Sequence, residues 1–226
     1  MIVKVKYIDW GLIEYSKAWN QQESILQNII DKRDNDKGYF NHLLFCEHLH
    51  VYTLGKSGKE NNLLINQEFL KKINATYFRS NRGGDITYHG PGQIVGYPIF
   101  DLNDFNIGVK KYIYLLEESI IQTLNEFGIK AGRLQNATGV WIDVEKPKLT
   151  RKICAIGVRV SKQVTMHGFA LNINTNLEYF KYINACGYTD KGVTSLQEEL
   201  NKKLDINEVK TILKNKIKNI FMFEFV

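Results

Sequence analysis

Polar side chains and glycines concentrate between Arg82 and Pro98, in the stretch R-G-G-D-I-T-Y-H-G-P-G-Q-I-V-G-Y-P. Glycine allows positive φ and close approach of a ligand to the backbone, whereas proline fixes φ, so together they fix an irregular path. Asp85, His89 and Gln93, together with Arg82, add side chains able to make polar contacts. Two linked turns on a sheet are the alternative, but turns seldom carry so many functional groups. The stretch therefore predicts a binding loop.

The three cysteines are Cys46, Cys154 and Cys186, an odd number that indicates reduced thiols rather than a disulfide framework. A thiolate can store an acyl group covalently between two reactions, which makes a cysteine a candidate nucleophile. A lone cysteine is also commonly a small buried hydrophobe. We expect packing for Cys154, which lies within a strand-like segment. From the residues alone, Lys152 has the pattern of a solvated residue at a strand end.

Two motifs resemble ligand sites but fail on geometry or spacing. Cys46, His48 and His50 would lie on one strand, where residues at i, i+2 and i+4 extend over about 13 Å, too far to converge on one metal ion. Gly55-Lys56-Ser57 resembles the end of a phosphate-binding loop, but that motif requires glycine where His50 stands. We predict no metal and no cofactor.

The elements that must position these residues follow from hydrophobic periodicity. Helical spacing predicts helices from Leu12 to Ile30, from Ile107 to Phe127 with Gly128 as its stop, and after Asp205 and Glu208, which form a capping-box-like start. Alternating or continuous apolar runs predict strands at residues 2–8, 41–55, 76–79, 93–102, 133–144, 152–160 and 167–174. Strands interrupted by long helices predict an α+β domain built on a mixed sheet.

Length and composition indicate one domain, residues 1–226, with 44% hydrophobic and 24% charged residues. No apolar run is long enough to span a bilayer and the first residues lack the order of a signal peptide, so we expect a cytoplasmic protein without a membrane partner. The net charge of +6 favours acidic partners, although a compositional bias toward Lys, Asn and Ile would produce the same net charge. No basic and aromatic patch indicates nucleic acid.

Seven motifs between about Leu43 and Gly187 resemble, in identity and order, those of the lipoyl(octanoyl) transferases. They are V-Y-T-L-G, N-L-L, R-G-G-D-I-T-Y-H-G-P-G-Q, T-G-V-W-I, K-I-C-A-I-G, H-G-F-A-L-N and N-A-C-G. The resemblance implies the fold shared with biotin and lipoate protein ligases. It also implies transfer of an octanoyl or lipoyl group from acyl carrier protein to a lysine of lipoyl domains, in 2-oxoacid dehydrogenases and the glycine cleavage H protein. We expect the enzyme to be a monomer.

By the same resemblance, Cys186 is the nucleophile and Lys152 its partner. An unperturbed lysine stays protonated while a thiol ionises, so the first role of Lys152 is an ammonium that stabilises the thiolate; a role as base would require burial. The resemblance also implies a narrow acyl slot lined by Arg82, Gly83, Gly84, Asp85, Thr87, Tyr88, His89, Gly90, Gln93, Ala155, Ile156, Gly157, His167, Gly168 and Ala170. His167 is alternatively a structural histidine. Lys56 stands where the family often has arginine, which bears on a carrier-protein contact.

Three other functions remain open. An ATP-dependent lipoate or biotin ligase of the same architecture would activate a free acid and would not need a covalent cysteine. A non-catalytic relative would bind lipoyl domains without turnover, although Cys186 and Lys152 argue against it. A cysteine hydrolase would admit water to the acyl-enzyme, but the sequence has no papain-like or caspase-like motif.

Overall fold

The computed structural model describes residues 2–35, 37–184 and 192–226. The candidate nucleophile Cys186 lies outside these described residues. The described strands are β1 (Val3–Ile13), β2 (Asn41–His48), β3 (Val51–Leu54), β4 (Thr76–Arg79), β5 (Ile86–His89), β6 (Gln93–Ile99), β7 (Ala131–Leu134), β8 (Ala137–Ile142), β9 (Arg151–Ser161), β10 (Val164–Asn172), β11 (Gly192–Val193) and β12 (Phe223–Phe225). The described helices are α1 (Tyr15–Asp34), α2 (Gln67–Lys72), α3 (Val109–Glu126), α4 (Leu196–Leu200) and α5 (Ile206–Phe221), with short 3₁₀ helices at Glu60–Asn62 and Leu177–Tyr182.

Most described strands form one mixed sheet in the order β12-β1-β2-β6-β10-β9-β8-β7, and β11 pairs with β9. The pairs β1–β2, β1–β12 and β9–β11 are parallel, whereas the other neighbours are antiparallel. A second sheet has the order β4-β3-β5. The predicted α+β class with a mixed sheet and packed helices is confirmed.

The main sheet is buried on both faces because its central strands are apolar at successive positions. Leu43 and Phe45 of β2 pack on the face covered by α3 and α5. Leu44 and Cys46 pack on the opposite face, beneath α1. Continuous apolar runs are typical of strands covered on both sides. The α1 side is the one on which a cavity forms.

The three long helices follow their predicted apolar spacing. The buried residues of α1 include Ala18, Leu26 and Ile30, and α3 ends just before Gly128, whose φ is +74°. Helix α5 begins after Asp205, whose side chain accepts a hydrogen bond from the Asn207 N–H at 2.9 Å. The first helix begins at Tyr15 rather than at Leu12, because β1 continues through Ile13 beside β2.

The single strand predicted over residues 41–55 is wrong. β2 pairs with β1 and β6 in the main sheet, whereas β3 pairs with β4 and β5 in the second sheet. The chain bends between them at Leu49 and His50. The His50 ring stacks on Tyr179 with 4.2 Å between ring centroids, a contact that favours this bend over a continuous strand.

Local elements were also missed. The predicted loop contains β5, the predicted strand at 133–144 is the hairpin β7–β8, and α2 lies in a segment for which no element was predicted. Asn66 starts α2 by accepting the Phe69 N–H at 2.9 Å. Every helix in the described part of the chain is too short or too polar to traverse a bilayer.

Candidate functional site

A cavity of about 140 Å³ lies on the α1 side of the main sheet, bounded by β6, β9, β10 and the segment from Arg82 to His89. An engineered apolar cavity of about 150 Å³ binds benzene, so this one accommodates a small apolar group. Most of the predicted substrate-binding residues line it, and so does Lys152: they are Arg82, Gly84, Asp85, Thr87, His89, Gln93, Ala155, Ile156, Gly157, His167, Gly168 and Ala170.

Three predicted binding residues do not line the cavity. Tyr88 points into the core of the second sheet, where its ring stacks on Tyr179 and its hydroxyl lies 2.7 Å from His50 Nδ1. Gly90 packs against the Tyr88 hydroxyl, leaving no room for a Cβ. The Gly83 N–H donates to the Val158 carbonyl at 2.9 Å, which fastens the loop to β9. These residues shape the loop from behind.

The cavity floor is built from small residues that face each other across β9 and β10. Ala155 pairs with Ala170, and Gly157 pairs with Gly168. Since side chains alternate along a strand, the pairs two positions apart lie on one face and leave a shallow channel. On β6 the residues flanking this channel are Val95, opposite Ala170, and Tyr97. The floor therefore follows the strand direction, as an extended alkyl chain would.

One wall of the cavity is a chain of buried hydrogen bonds. The Arg82 Nη2–H donates to the Thr53 carbonyl at 2.6 Å and to the Thr53 hydroxyl at 2.9 Å. Thr53 Oγ1 lies 3.4 Å from His89 Nε2, and His89 Nδ1 lies 2.8 Å from Gln93 Oε1. The Gln93 amide then donates to Asn172 Oδ1 at 2.9 Å. These bonds satisfy the polar groups of the wall and fix their orientation.

Two histidines that line the cavity are neutral. Burial, together with His48 and Arg82, lowers the pKa of His89 to about 3. Burial, together with Arg82 and Arg159, lowers the pKa of His167 to about 3. His167 lines the cavity and its Nε2 lies 2.6 Å from Asn81 Oδ1, so it is both a lining residue and a hydrogen-bonded one. Neither ring carries a charge at neutral pH.

Lys152 lies at the end of the cavity where β9 meets β11. Its ammonium nitrogen is 4.5 Å from the centroid of the Trp141 ring, a distance typical of a cation–π contact. Trp141 is buried and donates its indole N–H to the Ala137 carbonyl at 2.9 Å. The neighbouring Cys154 is buried on the other face, and burial raises the pKa of its thiol, as expected for a packing residue.

The described residues on either side of Cys186 connect to residues that line this cavity. On one side, Ile183 bridges to Leu63 and the Asn184 N–H donates to the Asn62 carbonyl at 2.8 Å. Asn62 in turn donates to Asp85 Oδ2 at 2.6 Å, and Asp85 lines the cavity. On the other side, Val193 pairs with Lys152 and lines the cavity as well.

Several lining residues had not been predicted from the sequence: Tyr15, Ile86, Val95, Tyr97, Thr138, Phe169, Asn172, Phe180 and Val193. The alternation from Gln93 through Val95 to Tyr97 contained a usable signal, since these positions share a face of β6. Tyr15 had none, because it reaches the cavity through the packing of α1. Its ring stacks against His89 and its hydroxyl donates to Ser80 Oγ at 3.0 Å.

The residues Cys46, His48 and His50, whose motif was rejected as a metal site, lie in two different environments. Cys46 Sγ lies 3.6 Å from His48 Nε2, and that nitrogen also lies 2.6 Å from the Tyr97 hydroxyl. His50 belongs to the aromatic stack beside the second sheet. Within residues 2–35, 37–184 and 192–226, no group of three or more His, Cys, Asp or Glu is arranged to hold a metal ion.

Comparison with known proteins gives one consistent family. The protein-family model described as "Lipoyl protein ligase A/B catalytic domain" matches residues 14–218 of the sequence. A protein of Bacteroides fragilis named "Octanoyltransferase" is 55% identical over 202 residues, which cover 89% of this chain and 91% of the relative. Relatives with the same name include one of Flavobacterium johnsoniae, 50% identical over 99% of both chains.

Solved structures share the fold at low identity. A bipartite lipoate protein ligase of Thermoplasma acidophilum has a TM-score of 0.70 at 16% identity, covering 99% of this chain and 86% of that one. The biotin protein ligase of Aquifex aeolicus has a TM-score of 0.53 at 12% identity, covering 98% and 70%. The predicted ligase-like fold is confirmed, and the close relatives confirm the predicted resemblance and a transferase of protein lipoylation.

Proposed function

The chain belongs to the lipoyl protein ligase A/B catalytic domain family, and on that premise we propose that it transfers an octanoyl or lipoyl group through a thioester on Cys186. The donor is the acyl carrier protein. The acceptors are lysines of lipoyl domains, in 2-oxoacid dehydrogenases and in the glycine cleavage H protein. The observation that carries the proposal is a cavity of about 140 Å³ lined by Lys152 and by its strand partner Val193, which follows Cys186 along the chain.

The cavity residues have distinct roles in this proposal. The Ala155–Ala170 and Gly157–Gly168 pairs hold the alkyl chain. The buried wall from Arg82 to Asn172 fixes the width of the channel, and the neutral rings of His89 and His167 orient groups without exchanging protons. We assign the proton transfer to Lys152, which lines the cavity and which the family resemblance identifies as the partner of Cys186.

In the first half-reaction, the Cys186 thiolate attacks the thioester carbonyl of the octanoyl carrier protein. A new carbon–sulfur bond forms to Cys186, the bond to the carrier sulfur breaks, and the carrier thiolate takes a proton from the Lys152 ammonium. Before that step, the ammonium stabilises the Cys186 thiolate. Two unit charges about 4 Å apart attract by roughly 4 kcal/mol at an effective dielectric of about 20, before desolvation is subtracted.

In the second half-reaction, the neutral amine of the acceptor lysine attacks the thioester on Cys186. The nitrogen loses one proton to the now neutral Lys152, the carbon–sulfur bond breaks, and an amide and the Cys186 thiolate result. Lys152 ends as the ammonium, so the cycle closes with protons balanced.

The deciding experiment is the intact mass of the protein after incubation with octanoyl carrier protein in the absence of ATP. We expect one added octanoyl group, mapped to the Cys186 peptide and absent from Cys186→Ala, while Cys154→Ala serves as a matched control that labels normally. Octanoylation of a lipoyl domain that requires ATP and free octanoate, without an adduct, would instead establish the ligase alternative. A lipoyl domain bound without turnover would establish the non-catalytic alternative.

The state of the enzyme in the cell stays a prediction. A single domain, a monomer and a cytoplasmic location are all compatible with the proposal. Sedimentation of the purified protein tests whether it is a monomer, and fractionation of the source cells tests the cytoplasmic location.

A further inference from the structure

The β8–β9 pair contains a β-bulge next to Lys152. Val140 pairs with Cys154, yet the next residue, Trp141, pairs with Lys152, so Ile153 is the extra residue of β9. Extra residues of this kind bend a strand and re-aim the neighbouring side chains.

The bulge determines which face of the sheet Lys152 occupies. In a regular strand, residues two positions apart share a face, so Lys152 would point into the core with Cys154. Instead, Ile153 and Cys154 are both buried in the core beneath α3 and α5, and Lys152 lines the cavity on the opposite face. The bulge therefore places the ammonium over Trp141.

The opposite strand accommodates the bulge at Gly139. Its φ is +121°, and an added Cβ would lie 2.6 Å from the Cys154 carbonyl oxygen and 3.6 Å from Lys152 Cε. Its N–H donates to Glu117 Oε1 of α3 at 3.0 Å. The buried carboxylate of Glu117 thus accepts a hydrogen bond from the backbone of β8, the strand that pairs with the bulged strand β9.

Glu117 is itself held in place. Its second oxygen, Oε2, accepts the Arg133 Nε–H at 3.0 Å, and the Arg133 guanidinium lies 3.9 Å from the Tyr114 ring centroid. Arg133 also donates to Glu118 Oε2 at 2.7 Å. The adjacent residue Glu118 therefore shares the arginine, whereas the bond to Gly139 is made by Glu117.

We propose that Glu117 is a positioning residue for Lys152, which it reaches through the sheet by fixing Gly139 and the β8–β9 bulge. The proposal deepens the proposed function and rests on it for its catalytic meaning, since Lys152 is there the proton carrier. The placement of Lys152 by Glu117 is a separate structural statement with its own readout.

The readout is the NMR signal of the lysine ε-methylene in protein labelled with ¹³C-lysine, assigned to Lys152 by its loss in Lys152→Arg. Because Lys152 lies over Trp141, the ring current of the indole moves this signal upfield of the solvated lysines. Glu117→Ala removes the acceptor, and Glu117→Asp keeps the charge but withdraws it by one methylene. In both variants we expect the signal to return to the position of solvated lysines. Glu117→Gln, which keeps an oxygen for Gly139, should retain the upfield signal.

Glu118→Asp is the matched control, because it disturbs the same arginine without touching Gly139. We expect its Lys152 signal to stay in place. Folded Glu117→Asp protein with an unchanged Lys152 signal would overturn the proposal, as would an equal displacement in Glu118→Asp. Melting curves show which variants are folded, and Glu117→Asp decides the matter if Glu117→Ala does not fold.

Kinetics then separate this proposal from the proposed function. A displacement of about 1 Å at a catalytic group can reduce a rate by on the order of 100-fold. We expect a loss of that order in kcat for Glu117→Asp, with KM for the carrier little changed, and normal values for Glu118→Asp. If Lys152→Met keeps full activity, the role of Lys152 in the proposed function fails, while the NMR result still decides whether Glu117 positions it.

Discussion

The imidazole of His89 and the amide of Gln93 form one buried unit, in which His89 Nδ1 donates to Gln93 Oε1 at 2.8 Å. The direction of this bond follows from the amide, because the Gln93 Nε2 group donates to Asn172 Oδ1 at 2.9 Å and to the Tyr88 carbonyl at 3.2 Å. His89 Nε2 is then left as the acceptor nitrogen of the ring. A segment predicted as an irregular loop is thereby joined to β10.

The first prediction concerns that unit. Gln93→Leu leaves the His89 Nδ1–H and the Asn172 amide oxygen without this partner in a buried site, which we expect to lower the free energy of unfolding by about 1–3 kcal/mol. Urea unfolding at neutral pH measures the change. Gln21→Leu, at an exposed position of α1, is the matched control and should be close to neutral. Equal stability of the two variants would contradict the prediction.

The second prediction concerns stability at low pH. Burial lowers the pKa of His48 to about 4, and those of His89 and His167 to about 3, whereas unfolded histidine titrates near about 6.5. Below that value the unfolded chain binds protons that the folded protein cannot. The stability that depends on keeping these rings neutral is therefore complete above about pH 6.5. It is lost as the pH falls from there toward the pKa values of the histidines in the folded protein. Each histidine contributes a slope of up to about 1.4 kcal/mol per pH unit.

Urea unfolding at a series of pH values measures this slope. We expect the free energy of unfolding to fall below about pH 6.5, and to fall less steeply in His167→Gln, which has one buried titrating ring fewer. A stability that stays level down to about pH 4 in the parent protein would refute buried neutral histidines.

The third prediction concerns thiol reactivity. Cys46 and Cys154 are fully buried and burial raises both pKa values, so the native protein offers neither thiolate nor access at these positions. Brief treatment with iodoacetamide at neutral pH should modify Cys186 alone. Peptide mass mapping reads the result, and denatured protein, labelled at all three cysteines, is the control. Labelling of Cys46 or Cys154 before unfolding would count against the structure.

The fourth prediction separates two roles of Lys152. Lys152→Arg keeps a positive charge but does not release a proton, whereas Lys152→Met keeps much of the stem and loses both properties. A proton carrier predicts that Lys152→Arg, whose charge still stabilises the Cys186 thiolate, forms the acyl-enzyme while solvent protonates the carrier thiolate, but stalls in transfer to the lipoyl domain because arginine cannot accept the amine proton. Lys152→Met should fail already at acylation. Single-turnover kinetics of each half-reaction test this. Equal, modest slowing of both steps in Lys152→Arg would leave only electrostatic stabilisation.

The fifth prediction concerns acyl length. Ala170 lies on the cavity floor opposite Val95 and Ala155. Ala170→Val adds two methyl groups to the channel, and overpacking of this size costs about 1–3 kcal/mol. We expect kcat/KM for octanoyl carrier protein to fall roughly tenfold relative to that for butanoyl carrier protein. Ala75→Val, in the core of the second sheet, should leave this ratio unchanged.

Hydrophobic periodicity predicted the helices that pack against the sheet through a broad apolar face. α1, α3 and α5 each present such a face, and their boundaries lie within a few residues of those expected. The division of residues 41–55 between two sheets was not predictable from local pattern, since Leu49 and His50 have no turn signature. The division is accompanied by contacts with residues far along the chain, such as the stacking of His50 on Tyr179.

The candidate site shows the same limit. Motif identity selected most of the cavity residues, but Tyr88 was misplaced because a strand with alternating faces occupies that part of the predicted loop. No local sequence pattern identified Glu117, because its importance arises from a hydrogen bond to Gly139, 22 positions away in a different element. Long-range pairings of this kind are invisible to any window that reads local periodicity.

The pairing of β1 with β12 has a consequence for how the chain folds. Residues 3–5 lie beside residues 223–225 in parallel, so this edge of the sheet joins segments at opposite ends of the sequence. Such pairings raise the contact order and slow folding, because the loop they close has a large entropic cost. During synthesis the edge of β1 stays open until Phe223–Phe225 has emerged. A chaperone that shields open strand edges should therefore raise the refolding yield, most clearly at high protein concentration.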